Sequence, residues 1–300
     1  MTDGPRTVAV VAERRHLANE VLREATATLE ALDVLVALIV PDADQAFAVP
    51  TERPPWDAVV SRGRDLAGLG IFAAAAALGV PAINDPRSID LVRNKIAMQA
   101  VLLEHGLPLP ATWFAADVEV FRSFPHDRFP LVVKPFDGDG SRGLALITRP
   151  GDVDLLAPIE ARRTLYLAQE FLETDGWDLK LYGIGSEVWG VRKASPVSFP
   201  GAGPAHIDHP ADAELVTLDP ALRDIGLTCG RACGLELWGV DVALTPHGPR
   251  VIEVNDFPTY SAVPGAGAAI AEHIVMRIDM DRVARRTGRE RTLAIVRDGP

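Results

Sequence analysis

Asp241, Glu253 and Asn255 are three oxygen donors set into two otherwise apolar stretches, "LWGVDVALT" and "RVIEVN". Glu253 and Asn255 are two residues apart, so on a strand their side chains share one face. A short turn, "PHGP", separates the stretches, and in a hairpin Asp241 can face the same side. A carboxylate on an apolar strand is costly unless something pairs with it. Two carboxylates and an amide suit a hard cation such as Mg²⁺, which completes its octahedral oxygen shell with water and substrate phosphates. The bland alternative is an acidic cluster at a sheet edge.

A second group points to phosphate. The loop "DGDGSRG" places Gly138, Gly140 and Gly143 in a G-x-G-x-x-G pattern. A dinucleotide site needs a helix after such a loop, and "LALIT" reads as strand. A Gly-rich turn between two strands can instead fold its backbone N–H groups over phosphates. Lys134 stands four residues before Gly138 on the incoming strand, and no Lys directly follows a Gly, which excludes a P-loop. Of 30 basic residues only four are lysines, Lys95, Lys134, Lys180 and Lys193. Where arginine is the default, a retained lysine is a candidate for a place that needs a compact ammonium rather than a planar fork, with chance survival of a codon bias as the alternative.

The elements that must carry these groups fall into two units. Up to about residue 90 strands alternate with helices ("TVAVVAE", "DVLVALIV", "WDAVVSR" and "PAIN" as strands), which predicts a parallel sheet with crossover helices. One helix is predicted from Pro86 or Ser88 to Gly106. Beyond it "FPLVVKP", "GLALIT", "TLYLAQEFLE", "WDLKLYGIG" and "EVWGVRKAS" read as strands, followed by a long Pro/Gly loop over 194–212. A helix carrying Cys229 and Cys233 as core residues, the Asp241–Glu253 hairpin and a closing helix complete the chain, with 281–300 as a loose tail. The net charge of −11 argues against a nucleic-acid or anionic-membrane partner. No apolar run is long enough for a signal peptide or a membrane span, so the expectation is a cytoplasmic protein.

In order along the chain, "RNK", "LVVKP" with its Gly-rich loop, "QEFL", "DLK", "VRK", "GVDV" and "EVN" resemble the ATP-grasp enzymes. The resemblance covers about residues 84 to 267. It implies an N-terminal α/β domain (1–90) and an ATP-grasp domain (91–280) whose two α+β subdomains clamp ATP, with a mobile lid at about 111–168. It implies that Lys95 and Lys134 neutralise phosphates and that Gly138, Gly140, Ser141 and Gly143 close over them. It assigns Gln169, Glu170, Phe171 and Leu172 to adenine, Asp178 and Lys180 to the ribose region, and Arg192 to the transferring phosphoryl group. Lys193 is adjacent, so one of that pair points away. Asp241, Glu253 and Asn255 would hold Mg²⁺, with Mn²⁺ as the alternative.

The "GVDV…EVN" block resembles the carboxylate–amine ligases related to the ribosomal-protein glutamate ligase. The tail "NDFPTYSAVPG" departs from their small residue, Pro and Gly, and is similar to the inositol polyphosphate kinase branch. Residues 1–94 hold nine Arg, no Lys and thirteen acids, and the 194–212 loop adds only His206 and His209. Arg14, Arg15, Arg62 and Arg64 are the cleft-facing candidates, thin for a polyphosphate but sufficient for one or two carboxylates. The expected activity is therefore amide formation between a small carboxylate, or a peptide, and an amine through an acyl phosphate. A kinase acting on a polyol or inositol phosphate is the alternative. A catalytically dead nucleotide-binding module is disfavoured because all three metal ligands are present. Assembly into a homo-oligomer is left open.

Overall fold

A computed structural model of the protein describes residues 4–41, 44–136, 143–159, 165–195 and 213–297. The first apolar run forms β1 (Arg6–Ala12), fully buried from Val8 to Ala12. It lies inside a parallel sheet with β2 (Val34–Ile39), β3 (Ala58–Arg62) and β4 (Ala82–Ile83), in the order β2-β1-β3-β4. Parallel neighbours need crossovers. Here these include α1 (Glu20–Ala31) and α2 (Leu66–Ala77). Leu22, Ala25 and Leu29 lie three and four residues apart on α1, so one stripe faces the sheet. Asn19 and Asp65 cap the two helices by accepting from the N–H groups of Leu22 and Gly68.

The single helix predicted over 86–106 is two, α3 (Pro86–Arg93) and α4 (Lys95–Glu104). Asn94 (φ −83°, ψ 86°) leaves the helical region between them, and its side chain caps α4 by accepting from Ala97 N–H. The break makes Lys95 the first residue of a new helix and leaves it only 5% exposed.

Two antiparallel sheets follow. The smaller has the order β5-β8-β6-β7, from β5 (Thr112–Ala115), β6 (Leu131–Pro135), β7 (Ala145–Ile147) and β8 (Tyr166–Glu170). β5 was not foreseen in the sequence; it pairs with β8 through Thr112 opposite Gln169. The larger has the order β11-β10-β9-β12-β13, from β9 (Trp177–Ile184), β10 (Glu187–Ala194), β11 (Glu214–Val216), β12 (Leu237–Thr245) and β13 (Gly248–Asp256). α5 (Pro220–Cys233) and α4 cover one of its faces, where Cys229 and Cys233 are buried as expected. Trp238 is the largest side chain in that layer and packs where Gly183, Gly226 and Gly230 lack side chains. A Cβ on Gly183 would stand 2.0 Å from the indole, so even alanine there must displace it. Of the predicted 194–212 loop, 196–212 lie outside the described residues.

The chain closes on α6 (Ala266–Arg297), where the sequence suggested a loose tail over 281–300. Ile270, Ile274 and Ile278 pack into the same core as α1 and β1. Arg282 donates to Asp57 at 2.8 Å and to the carbonyls of Gly4 and Pro5, which anchors the helix to the first unit. No helix among the described residues is long and apolar enough to cross a membrane.

Candidate active site

Lys95, Lys134, the linker 169–172, Asp178, Lys180, Lys193, Asp241, Glu253 and Asn255 converge on one cavity of about 600 Å³, lined by both antiparallel sheets and by residues at and after the C-terminal ends of β3 and β1. All four lysines of the chain line it. Lys134 reaches it through strand alternation: Leu131, Val133 and Pro135 are buried on β6, while Val132 and Lys134 turn the other way. Lys95 reaches it because α4 starts where Asn94 breaks the preceding helix.

Asp241 and Glu253 are directly paired across β12 and β13, and Asn255 is opposite Gly239. The three oxygens expected to share a face therefore do. The register shifts after this pair, since Val242 is opposite Val251, and Ile252 is the extra residue of a bulge. In a regular strand Ile252 and Glu253 would face opposite sides; the bulge lets both line the cavity. Ile252 is a site residue that the alternating pattern conceals. With Val132, Leu144 and Ala243 it supplies an apolar surface against which a flat ring can lie.

The acids and lysines are paired with one another. Glu253 binds both Lys95 and Lys134, the latter at 3.5 Å. Burial alone would push the Glu253 carboxyl up, but the two ammoniums outweigh it and hold the group below its ordinary value. Burial and the neighbouring Lys95 push Lys134 down. Lys180 meets Asp241 at 2.7 Å, and this pair raises the Lys180 amine despite burial. Asp178, raised by burial, accepts a hydrogen bond from Ser195.

Among the described residues no three His, Cys, Asp or Glu side chains cluster to hold a metal by themselves. The donor set is two carboxylates and an amide on one face. Such an incomplete oxygen shell fits Mg²⁺, which keeps positions for water and phosphate oxygens.

The linker residues Gln169, Glu170, Phe171 and Leu172 leave β8 along the cavity wall. Their roles divide by side chain. The Gln169 amide is turned to Thr112 Oγ1 at 3.2 Å, and a Glu170 carboxylate oxygen accepts from Ala111 N–H at 3.1 Å. Of the Gly-rich loop, Gly138, Gly140 and Ser141 lie outside the described residues; Gly143 has φ +73°, a conformation that glycine adopts without strain.

One assignment is corrected. Arg192 does not line the cavity: it stacks over the Trp177 ring at 4.6 Å and binds Asp175 at 2.6 Å. Lys193 lines the cavity instead. On β10 it is opposite Asp178, whereas Arg192 is opposite Leu179, which packs into the core beneath the sheet. Adjacent strand residues must point to opposite faces, and the phase of β10 selects the lysine.

The remaining wall is arginine. The first unit contributes Arg15, His16, Arg62 and Arg64 to the cavity; Arg14, also a candidate, does not line it. Glu13 organises this group by accepting from Arg15 and from the N–H groups of Arg64 and Asp65. Burial would raise its carboxyl, but these donors lower it to about 2. Arg93, missed in the sequence, joins them: it grips Asp256 at 2.9 Å and donates to the Gly63 carbonyl at 2.8 Å. Asp256 and Phe257 belong to the unusual "NDFPTY" segment, and Arg62 stacks over the Phe257 ring at 5.5 Å.

Residues 92–278 match the family described as the RimK-like ATP-grasp domain. A protein of Shewanella sp. (strain MR-4) named "Probable alpha-L-glutamate ligase 2" is 29% identical over 225 residues, 72% of this chain and 74% of that protein. Among solved structures, the D-cycloserine synthetase DcsG superposes with a TM-score of 0.73 at 17% identity, covering 91% of this chain and 99% of the other. The ATP-grasp ligase PsnB, complexed with minimal precursor, Mg and ADP, superposes with a TM-score of 0.65 at 18% identity, over 90% and 97% of the two chains. At such identities the superpositions speak for the ATP-grasp fold.

Proposed function

The chain belongs to the RimK-like ATP-grasp family of ATP-dependent ligases, and on that premise we propose that it joins a carboxylate to an amine through an acyl phosphate. The observation that carries the reading is the convergence of Lys95, Lys134, Lys180, Lys193, Asp241, Glu253 and Asn255 on one cavity. Several compact cations beside an incomplete oxygen shell suit a nucleoside triphosphate and its divalent cation.

In this reading the apolar surface around Ile252 and the linker Gln169–Leu172 take the adenine. Asp178 and Lys180 lie toward the ribose, and Lys95 and Lys134 neutralise the phosphates. Asp241, Glu253 and Asn255 hold Mg²⁺ or Mn²⁺, which when bound neutralises charge on the transferring group. Lys193, in place of Arg192, faces that group. The family resemblance assigns Gly138, Gly140, Ser141 and Gly143 to the phosphates, and an acyl phosphate must be kept from water. The lid that the family resemblance implies is assigned to about 111–168.

The carboxylate of one substrate attacks the γ-phosphorus in line, and the O–P bond to ADP breaks. The amine then attacks the acyl carbon, phosphate leaves, and the amine proton is lost to solvent. Arg15, Arg62, Arg64 and Arg93 place the acid-bearing substrate at the far end of the cavity. Because the Shewanella relative is named a glutamate ligase, glutamate is the first amine to test, and the PsnB complex makes a peptide a reasonable acid.

With a panel of acids and glutamate, ADP and free phosphate should appear together only when acid and amine are both present. Hydroxylamine should replace the amine and trap a hydroxamate. ADP formed with all the transferred phosphate attached to an alcohol would replace this reading with the kinase alternative.

A further inference from the structure

We propose that Glu253 competes with the nucleotide phosphates for Lys95 and Lys134, so that nucleotide binds strongly only together with a divalent cation that takes over the Glu253 oxygens. The inference rests on the nucleotide reading above and adds a coupling within that site.

Its basis is how the charges are partnered. Both Glu253 oxygens are committed, one to Lys95 and one to Lys134, and Asp241 is committed to Lys180. Three of the four cavity lysines thus meet the same carboxylates that form the cation's donor set. The Glu253 side chain is 20% exposed, that of Lys134 13% and that of Lys95 6%, so water replaces a lost partner poorly.

A phosphate that draws both lysines away leaves Glu253 as an uncompensated, largely desolvated carboxylate, which is strongly unfavourable. A cation that draws Glu253 away leaves two ammoniums uncompensated. When both arrive, every group regains an opposite charge: lysine on phosphate, carboxylate on cation. Nucleotide and cation must then strengthen each other's binding by the same factor, since coupling between sites is reciprocal. Glu253 is in this sense a selectivity device, excluding metal-free nucleotide and pyrophosphate-like anions.

A cation ligand with no other role would behave differently when neutralised, which makes Glu253→Gln informative. Titration calorimetry with ATP in EDTA should show E253Q binding about 10-fold more tightly than wild-type, while added Mg²⁺ improves its affinity by less than about 3-fold. Asp256→Asn removes the same charge from the same cavity, but Asp256 is partnered by Arg93 and holds no lysine. It should change metal-free affinity by less than about 3-fold, which separates competition for lysines from a general loss of negative charge.

Lys95→Met reads the competition from the other side and does not depend on E253Q folding. Mn²⁺ without nucleotide, followed by electron paramagnetic resonance, should bind about 10-fold more tightly than to wild-type. Unchanged metal-free ATP affinity in E253Q, or an equal gain in D256N, overturns the inference while leaving the nucleotide site standing. Unchanged Mn²⁺ affinity in K95M also overturns it. Failure of wild-type to bind ATP even with Mg²⁺ overturns the nucleotide reading itself, and this inference with it.

Discussion

The two ends of the cavity use different cations in different ways. At the end formed by the antiparallel sheets every cation is a lysine, and three of the four ammoniums sit on carboxylates of the same site. At the end formed by the first unit and α3 every strong cation is an arginine; Arg93 is anchored through a backbone carbonyl, Arg62 through an aromatic face and Arg15 through a neighbouring acid. An ammonium is a point charge that can change partners, whereas a guanidinium forks across several partners at once and fixes geometry. The lysine end is built to exchange partners as charge is transferred; the arginine end is built to hold a shape.

The largest effect should come from breaking the lysine end. Glu253→Gln should lower ligase turnover by about 10³-fold or more, with circular dichroism unchanged, because the cation loses a ligand where charge develops. Wild-type turnover would refute the metal assignment. Next, Lys193→Met should lower turnover about 100-fold and Arg192→Met by less than about 3-fold, measured as kcat at saturating ATP. The reverse ranking would mean that β10 changes phase in the working enzyme. Lys134→Arg keeps the charge but adds a planar head, and should weaken Mg–ATP binding by about 10-fold or more by calorimetry.

Breaking the arginine end should leave nucleotide binding alone. Arg62→Lys loses the stack on Phe257 and should cut kcat/KM for the acid about 10-fold, with Mg–ATP affinity within about 2-fold of wild-type. A smaller effect concerns Glu13. Its carboxyl is lowered from 4.5 to about 2, so its stabilisation is complete above the unfolded value and is lost as pH falls from about 4.5 toward 2. Glu13→Gln should therefore lower the melting temperature near neutral pH and flatten its decline across that window, read by thermal unfolding at successive pH values. The smallest effect belongs to Arg149, 77% exposed and paired only with Asp152 among the contacts described. Arg149→Lys should change Mg–ATP affinity by less than about 2-fold.

The lysine end was legible in the sequence because residue type and order carry it. Lysine is rare in this chain, and a carboxylate on an apolar strand has few other reasons to exist. The misses depend on what a periodic pattern does not carry. Ile252 is displaced onto the active face by a bulge, and the helix break at Asn94 that delivers the expected Lys95 was itself not read. Arg192 and Lys193 are neighbours, and alternation says that they differ without saying which one points inward. Arg93 becomes a site residue only through Asp256, 163 positions away in the chain. The parallel unit was legible from alternating periods; β5 and β11 exist through pairing with β8 and β10, contacts that the local sequence does not carry. The continuation of α6 past 281 depends on anchors near the other end of the described chain, among them Asp57, Gly4 and Pro5.

That last feature bears on how the protein is made. The core of the first unit combines Val8, Val10, Leu22 and Leu29 with Ile270, Ile274 and Ile278. Domains usually fold in turn as they leave the ribosome, the N-terminal one first. Here the leading unit emerges with an apolar groove along β1 and α1 that nothing nearby in sequence can cover. It must wait until residue 278 has been synthesised. The two later sheets, whose partners are closer in the chain, can assemble in the meantime. During translation the first unit then closes after the two sheets, and a chaperone that shelters apolar surface should remain bound to it until α6 has been released.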